Sequence, residues 1–131
     1  MTVFNKFYNQ FLTFKLFIIM NALKNKVQLI GNIGQNPEIK TFESGSKMAR
    51  LSLVTNEKRK NQSGEYVEEA TWHNLTVWGK TVDIVEKFVD KGKEIAIEGK
   101  LVNRSYTDKN GDKKYVTEVR VTELMLLGSK K

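Results

Sequence analysis

The residues best suited to do chemistry lie in one short stretch, Trp72-His73-Asn74-Leu75-Thr76-Val77-Trp78. Its alternation marks a strand whose Leu75 and Val77 face a core, with His73 in line with them. Trp72, Asn74, Thr76 and Trp78 then face the other way. The two indoles are separated by about 20 Å of extended chain. Flat rings beside cations suit unpaired nucleobases. Each base stacked on an aromatic side chain contributes about 1–3 kcal/mol, with little dependence on which base it is. Lys and Arg hold the phosphates, which makes such binding salt-dependent. Two basic segments supply the cations. One is Lys58-Arg59-Lys60; the other is the long polar hairpin 104–115, with Arg104, Tyr106, Lys113 and Lys114. Lys80 joins the same side provided the strand runs on past Trp78. The competing reading packs both indoles under a helix or loop, or against another subunit.

Other chemistries lack their residues. With no cysteine, disulfide scaffolds, thiolate metal sites and thiol catalysis are excluded. One histidine excludes a multi-histidine metal site. His73 reads as a hydrogen-bonded core or interface residue, because a general base needs a nucleophile and an orienting partner. Gly31-Asn32-Ile33-Gly34 lacks the Gly-Lys-Ser/Thr ending of a phosphate loop and opens no helix. Glu68-Glu69 and Asp108/Asp112 lie on a strand edge and a hairpin, without glycosidase or metal context. No enzymatic activity, cofactor or metal is expected. Lys and Arg total 22 against 15 Asp and Glu, a net charge of +7. That balance suggests a polyanionic partner, either nucleic acid or an anionic membrane surface.

These residues must be positioned by a small scaffold. A chain of 131 residues makes one domain with at most a tail. Residues 1–19 stand apart: they contain five of the seven phenylalanines, no acid and no glycine, and their spacing of three and four fits an apolar helix face. They lack a signal peptide's cleavage site and the length of a membrane span. Because Met20-Asn21 looks like a second start, residues 1–19 are expected to be a dispensable extension. The alternatives are a membrane-surface helix or a docking segment. Without Lys6 and Lys15 the charge is still +5.

From residue 25 onward the pattern is strand-like. Residues 26–30 lead into Gly31, Gly34 and Pro37, which mark a kink or bulge and a turn. A short piece at 39–42, a turn at 43–46 and an alternating strand around 49–53 follow. Residues 55–64 read as a polar loop, and a second alternating strand spans about 66–78. At 81–89 the period changes: Val82, Val85, Phe88 and Val89 share a helical face, with Thr81 as N-cap and Gly92 as the stop. Strands return at 94–104 and about 115–127, joined by a hairpin at Asn110-Gly111. Three strands, one short helix and two strands fit an all-β, five-stranded Greek-key barrel of the OB type. In such barrels the face of strands two and three and the loops between strands one and two and strands four and five bind oligonucleotides.

Several segments occur together in order: Gly31-Asn32-Ile33-Gly34-Gln35-Asn36-Pro37-Glu38, Trp72-His73-Asn74, Trp78-Gly79-Lys80, Lys91-Gly92, Glu98-Gly99-Lys100-Leu101 and Tyr106-Thr107-Asp108. As an ordered set they make residues 20–128 resemble the bacterial single-stranded DNA-binding protein family. The resemblance implies an OB fold, usually a homotetramer, that binds single-stranded DNA in replication, recombination and repair, in the nucleoid-associated cytoplasm. It implies no catalysis, no cofactor and no membrane. It makes Trp72, Trp78 and Tyr106 base-stacking positions. His73 matches a subunit-assembly histidine, and the first strand, with Val27 and Leu29, matches the strand through which family dimers pair.

Two departures stand out. Arg59 occupies about the place of a further stacking tryptophan in the family, so one platform is replaced by a cation. Residues 129–131 form a short basic end where the family continues to an acidic tip. Recruitment of repair enzymes through such a tip is therefore not expected. Rival readings are an RNA-binding module of the same fold, a structural or assembly protein, and a membrane-associated protein using residues 1–19.

Overall fold

The structure is a computed structural model that describes residues 3–128; the basic end at 129–131 lies outside them. The elements are α1 (Val3–Lys24), β1 (Val27–Ile33), β2 (Glu38–Thr41), β3 (Lys47–Lys60), β4 (Tyr66–Trp78), α2 (Thr81–Phe88), β5 (Glu94–Thr107) and β6 (Lys113–Leu126). The strands run β1-β5-β6-β4-β3-β2 across the sheet, and β1 also pairs with β3, which closes it. Both β1 and β2 lie along β3, opposite Leu53–Val54 and Lys47–Arg50 respectively. They therefore act as one strand broken at Gly34 to Pro37, as the two glycines and the proline suggest. The result is the expected five-stranded OB barrel. Its β4–β6 pair is parallel and its other pairs are antiparallel.

Alternation explains the core. Leu51 and Leu53 of β3, Leu75 and Val77 of β4, Ile95 and Ile97 of β5, and Val119 of β6 converge with Ile33 inside the barrel. Helix α2 adds Val82 and Val85. Two details of α2 differ from the expectation. Lys80, not Thr81, is the N-cap, and it makes no side-chain capping bond. Phe88 is exposed. The helix ends at Phe88, and Val89 turns extended with φ −109° and ψ 109°. That turn carries the Val89 side chain into the core in place of the Phe88 ring.

Residues 55–60 are strand rather than loop. They pair in unbroken register with β4, from Thr55 opposite Thr71 to Lys60 opposite Tyr66. The ladder is backbone-driven and largely exposed on both sides, so it carries no hydrophobic period to read. The β5–β6 pair likewise extends to Thr107 opposite Lys113. Two long polar arms thus rise from the barrel, and their turns are built alike. In the first, the Asn61 side-chain oxygen accepts from the N–H groups of Ser63 and Glu65. In the second, Asp108 accepts from Asn110 and Asp112. Gly64 (φ 83°) and Gly111 (φ 83°) take the left-handed position that each turn needs.

Helix α1 continues through Met20 to Lys24 without a break, and none of its residues is buried. No helix among the described residues is long and apolar enough to cross a membrane.

Candidate nucleic-acid interface

Register assigns the faces. Met48, Arg50, Ser52 and Val54 of β3 lie opposite Trp78, Thr76, Asn74 and Trp72 of β4. Paired residues share a face, so both indoles stand on the side turned away from the core. The closing β4–β6 pair sets Arg120 beside Thr76, and β5–β6 pairing adds Arg104 opposite Val116 and Tyr106 opposite Lys114. These elements enclose a polar cleft of about 260 Å³ lined by residues including Gln35, Asn36, Arg50, Ser52, Asn74, Arg104 and Glu118.

The three expected ring positions are open: Trp72 is 59% exposed, Trp78 41% and Tyr106 48%. Trp72 lies against the backbone of Gly34. A Cβ on residue 34 would sit 2.2 Å from the indole Cζ3. The glycine that kinks the first strand thus also makes room for the ring. Trp78 stacks on Phe42, with centroids 5.7 Å apart and planes 7° apart. Its ring also lies 5.9 Å from the Arg120 guanidinium carbon. Tyr106 has the Arg104 guanidinium 5.9 Å from its centroid.

The expected cations are not equivalent. Lys58 and Lys60 pair with Glu68 and Tyr66, on the Trp72 side of the first arm. Lys60 Nζ lies 5.5 Å from the Tyr66 ring. Arg59 pairs with Val67 on the opposite side, where its Nε donates to Glu69 at 3.0 Å. Lys114 shares the Tyr106 side, whereas Lys113, opposite Thr107, does not; its ammonium lies 5.6 Å from the Tyr115 ring. Lys80 lies beyond the end of β4, at the start of α2. Arg104 Nε donates to Glu118 Oε1 at 2.6 Å, and Glu118 is only 8% exposed.

Sequence reasoning passed over Phe42, Arg50, Tyr66 and Arg120. Arg120 shows a local signal, as it alternates with Val119 and Val121. Phe42 shows none, because its partner Trp78 lies two strands away.

The residues expected at an oligomer interface lie elsewhere. His73 Nε2 is 3.0 Å from Thr55 Oγ1. Val27 and Leu29 are half-buried and pack against the core. Facing outward, Ile30, Ala96 and Met125 form a row across β1, β5 and β6, in which Ile30 and Met125 are exposed. Beside this row, the Glu98 carboxyl is held below its ordinary value by the hydrogen bond from Lys26, 2.6 Å away. Among the described residues no cluster of acidic or histidine side chains is arranged to hold a metal ion.

Comparison with known proteins places this geometry. Residues 24–127 match the model of the single-strand binding protein family. The chain is 43% identical over 107 residues to single-stranded DNA-binding protein 1 of Chlorobaculum tepidum, covering 81% of this chain and 66% of that protein. It is 38% identical over 110 residues to single-stranded DNA-binding protein 1 of Xylella fastidiosa, covering 83% and 81%. Among solved structures it resembles the Plasmodium falciparum SSB in complex with ssDNA, with a TM-score of 0.73 and 33% identity over 79% of this chain and 95% of that one. A deletion mutant of the single-stranded DNA binding protein from Thermus aquaticus superposes with a TM-score of 0.71 at 26% identity, covering 81% and 51%. An OB barrel with an open aromatic face, matched along most of its length by these proteins, belongs to the single-strand binding protein family.

Proposed function

We propose that this chain binds and covers single-stranded DNA without catalysis, in replication, recombination and repair. The observation that carries the reading is the placement of Trp72, Trp78 and Tyr106, exposed on the face that borders a polar, arginine-lined cleft. Bases stack on the three rings. Phosphates follow Lys58, Lys60, Arg104 and Lys114 on that face, with Lys80, Arg59 and Lys113 as outlying cations. Stacking needs only a π-face, so base preference is slight, and duplex DNA, whose faces are already stacked, binds far more weakly. Binding by proteins of the relatives' names and the ssDNA complex of the Plasmodium protein support this reading.

The working form is a homotetramer in the cytoplasm. Among the described residues, β1 at 27–30 pairs with β5 alone; that open edge and the exposed row Ile30–Ala96–Met125 support assembly. Val27 and Leu29 then act from behind that surface on β1, which helps carry it, while His73 ties β4 to β3 through Thr55. Residues 1–19 are dispensable to binding, since α1 contributes nothing to the core.

The test is tryptophan quenching on titration with oligo-dT, beside oligo-U and a duplex. Trp72→Ala and Trp78→Ala are each expected to weaken oligo-dT binding by about tenfold, within the usual stacking contribution. Binding should also weaken steeply with salt. The double variant has no tryptophan left, so its affinity is read by anisotropy of a labelled oligo-dT; a folded double variant with unchanged affinity would exclude stacking. Tighter binding of oligo-U than oligo-dT would favour an RNA partner.

A further inference from the structure

Four side chains form a ladder across the edge of the cleft. Lys40 Nζ lies 5.3 Å from the Phe42 ring, Phe42 stacks on Trp78, and the Arg120 guanidinium lies over Trp78. Register explains the alignment: Lys40 is opposite Met48, Met48 opposite Trp78, and Thr76 beside Arg120. Met48 and Thr76 are buried, so the row has a filled floor. In strand order Phe42 follows β2 and Arg120 lies on β6, so the two come to Trp78 from strands on either side of β4.

We propose that Arg120 is a place-holder. In the free protein its guanidinium lies on the Trp78 ring where a nucleobase stacks. Strand binding exchanges the guanidinium for the base, and Arg120 turns to a neighbouring phosphate. This inference rests on the single-stranded DNA reading above and names a residue that reading does not include.

Three features support the exchange. A guanidinium is flat, delocalised and weakly hydrated, so it covers an aromatic face much as a base does. Arg120 also has no acidic partner among the described residues, whereas Arg59 and Arg104 each have one. An exposed cation–π contact is weak, so little opposes its departure. Lastly, Lys100 lies directly opposite Arg120 on β5. Like charges in that position repel, which biases Arg120 toward β4 and the ring. Phe42 meanwhile keeps the indole plane fixed, so the surface offered to the incoming base is already set.

The experiment uses the full chain with Trp72→Phe, which leaves Trp78 as the one fluorophore of the two tryptophans. Acrylamide quenching is read free and saturated with oligo-dT, for Arg120, Arg120→Lys and Arg120→Ala. Oligo-dT affinity is followed separately by anisotropy of a labelled strand. In the free state, Arg120→Ala should raise the quenching constant by about twofold, since the stacked guanidinium is lost. With oligo-dT bound, the three proteins should converge on one low value. The salt dependence of binding should fall by about 0.7 in log–log slope for Arg120→Ala, the loss of one phosphate contact to a single strand. Arg120→Lys should restore the slope but not the shielding, because an ammonium is not planar.

Equal quenching of free Arg120 and Arg120→Ala proteins would overturn the proposal, as would a difference that persists in the DNA-bound state. In both cases the anisotropy still reports binding, so the functional reading survives. Absence of any anisotropy change with the Arg120 protein would instead remove the functional reading itself.

Discussion

At the scale of single residues, the interface depends on which rings have space. Gly34 illustrates this. Its missing Cβ is what lets Trp72 lie against the first strand at its kink. The obstructing atoms of a Gly34→Ala variant are at the far end of the indole, so the ring rather than the backbone gives way. The expected outcome is a folded protein with an unchanged thermal midpoint within a few degrees and about tenfold weaker oligo-dT binding, from the loss of one stacking platform. Melting followed by circular dichroism and a fluorescence titration measure the two. The sequence allowed Trp72 and Trp78 to be set on one face because a period of two sorts side chains by face, while Tyr106 came from the basic hairpin and from the family resemblance. It did not reveal Phe42 or Arg120 as neighbours of Trp78. Those contacts arise from β2–β3–β4 register and from the parallel β4–β6 closure, neither of which leaves a mark in local spacing.

At the scale of elements, the arms matter most. Each is a polar ribbon whose end is tied by one side-chain oxygen accepting from two N–H groups, Asn61 in one and Asp108 in the other. Replacing Asp108 with Ala leaves both donors of its turn to water. It should fray the β5–β6 arm and cost about 1 kcal/mol, as for the loss of a comparable side-chain cap. Amide exchange at Asn110 and Asp112 should accelerate while amides of Leu75 and Val77 keep their protection; uniform acceleration would mean that the turn supports the whole barrel. The Asn110-Gly111 turn was legible from its residue pair. The strands on either side of both turns were not fully so, because exposed ladders of Lys, Glu and Thr obey backbone geometry without a hydrophobic rhythm. For α2, the valine pattern located the helix, but its end was decided by Val89 leaving helical geometry.

At the scale of the whole molecule, the groove and the apolar row Ile30–Ala96–Met125 belong to different surfaces of one barrel. On the proposed reading, nucleic-acid binding and assembly are therefore expected to be separable. Met125→Glu places a charge at the β6 end of that row and should shift light scattering toward a smaller species at micromolar concentration. Quenching by a short oligo-dT that occupies one domain should stay within about twofold, whereas a long strand that wraps several domains should lose more, since linked sites raise the effective concentration. An unchanged particle size would show that the row is not the contact.

The carboxylate seated beneath Arg104 has a consequence for what happens after capture. Glu118 is nearly enclosed and shares the arginine's charge, so a passing phosphate meets a weaker attraction there than a lone guanidinium would exert. A coat whose every cation pulled at full strength would keep its cargo from whatever must copy or mend it next. Tempering one grip in the lining of the cleft favours a hold that is broad yet easily surrendered.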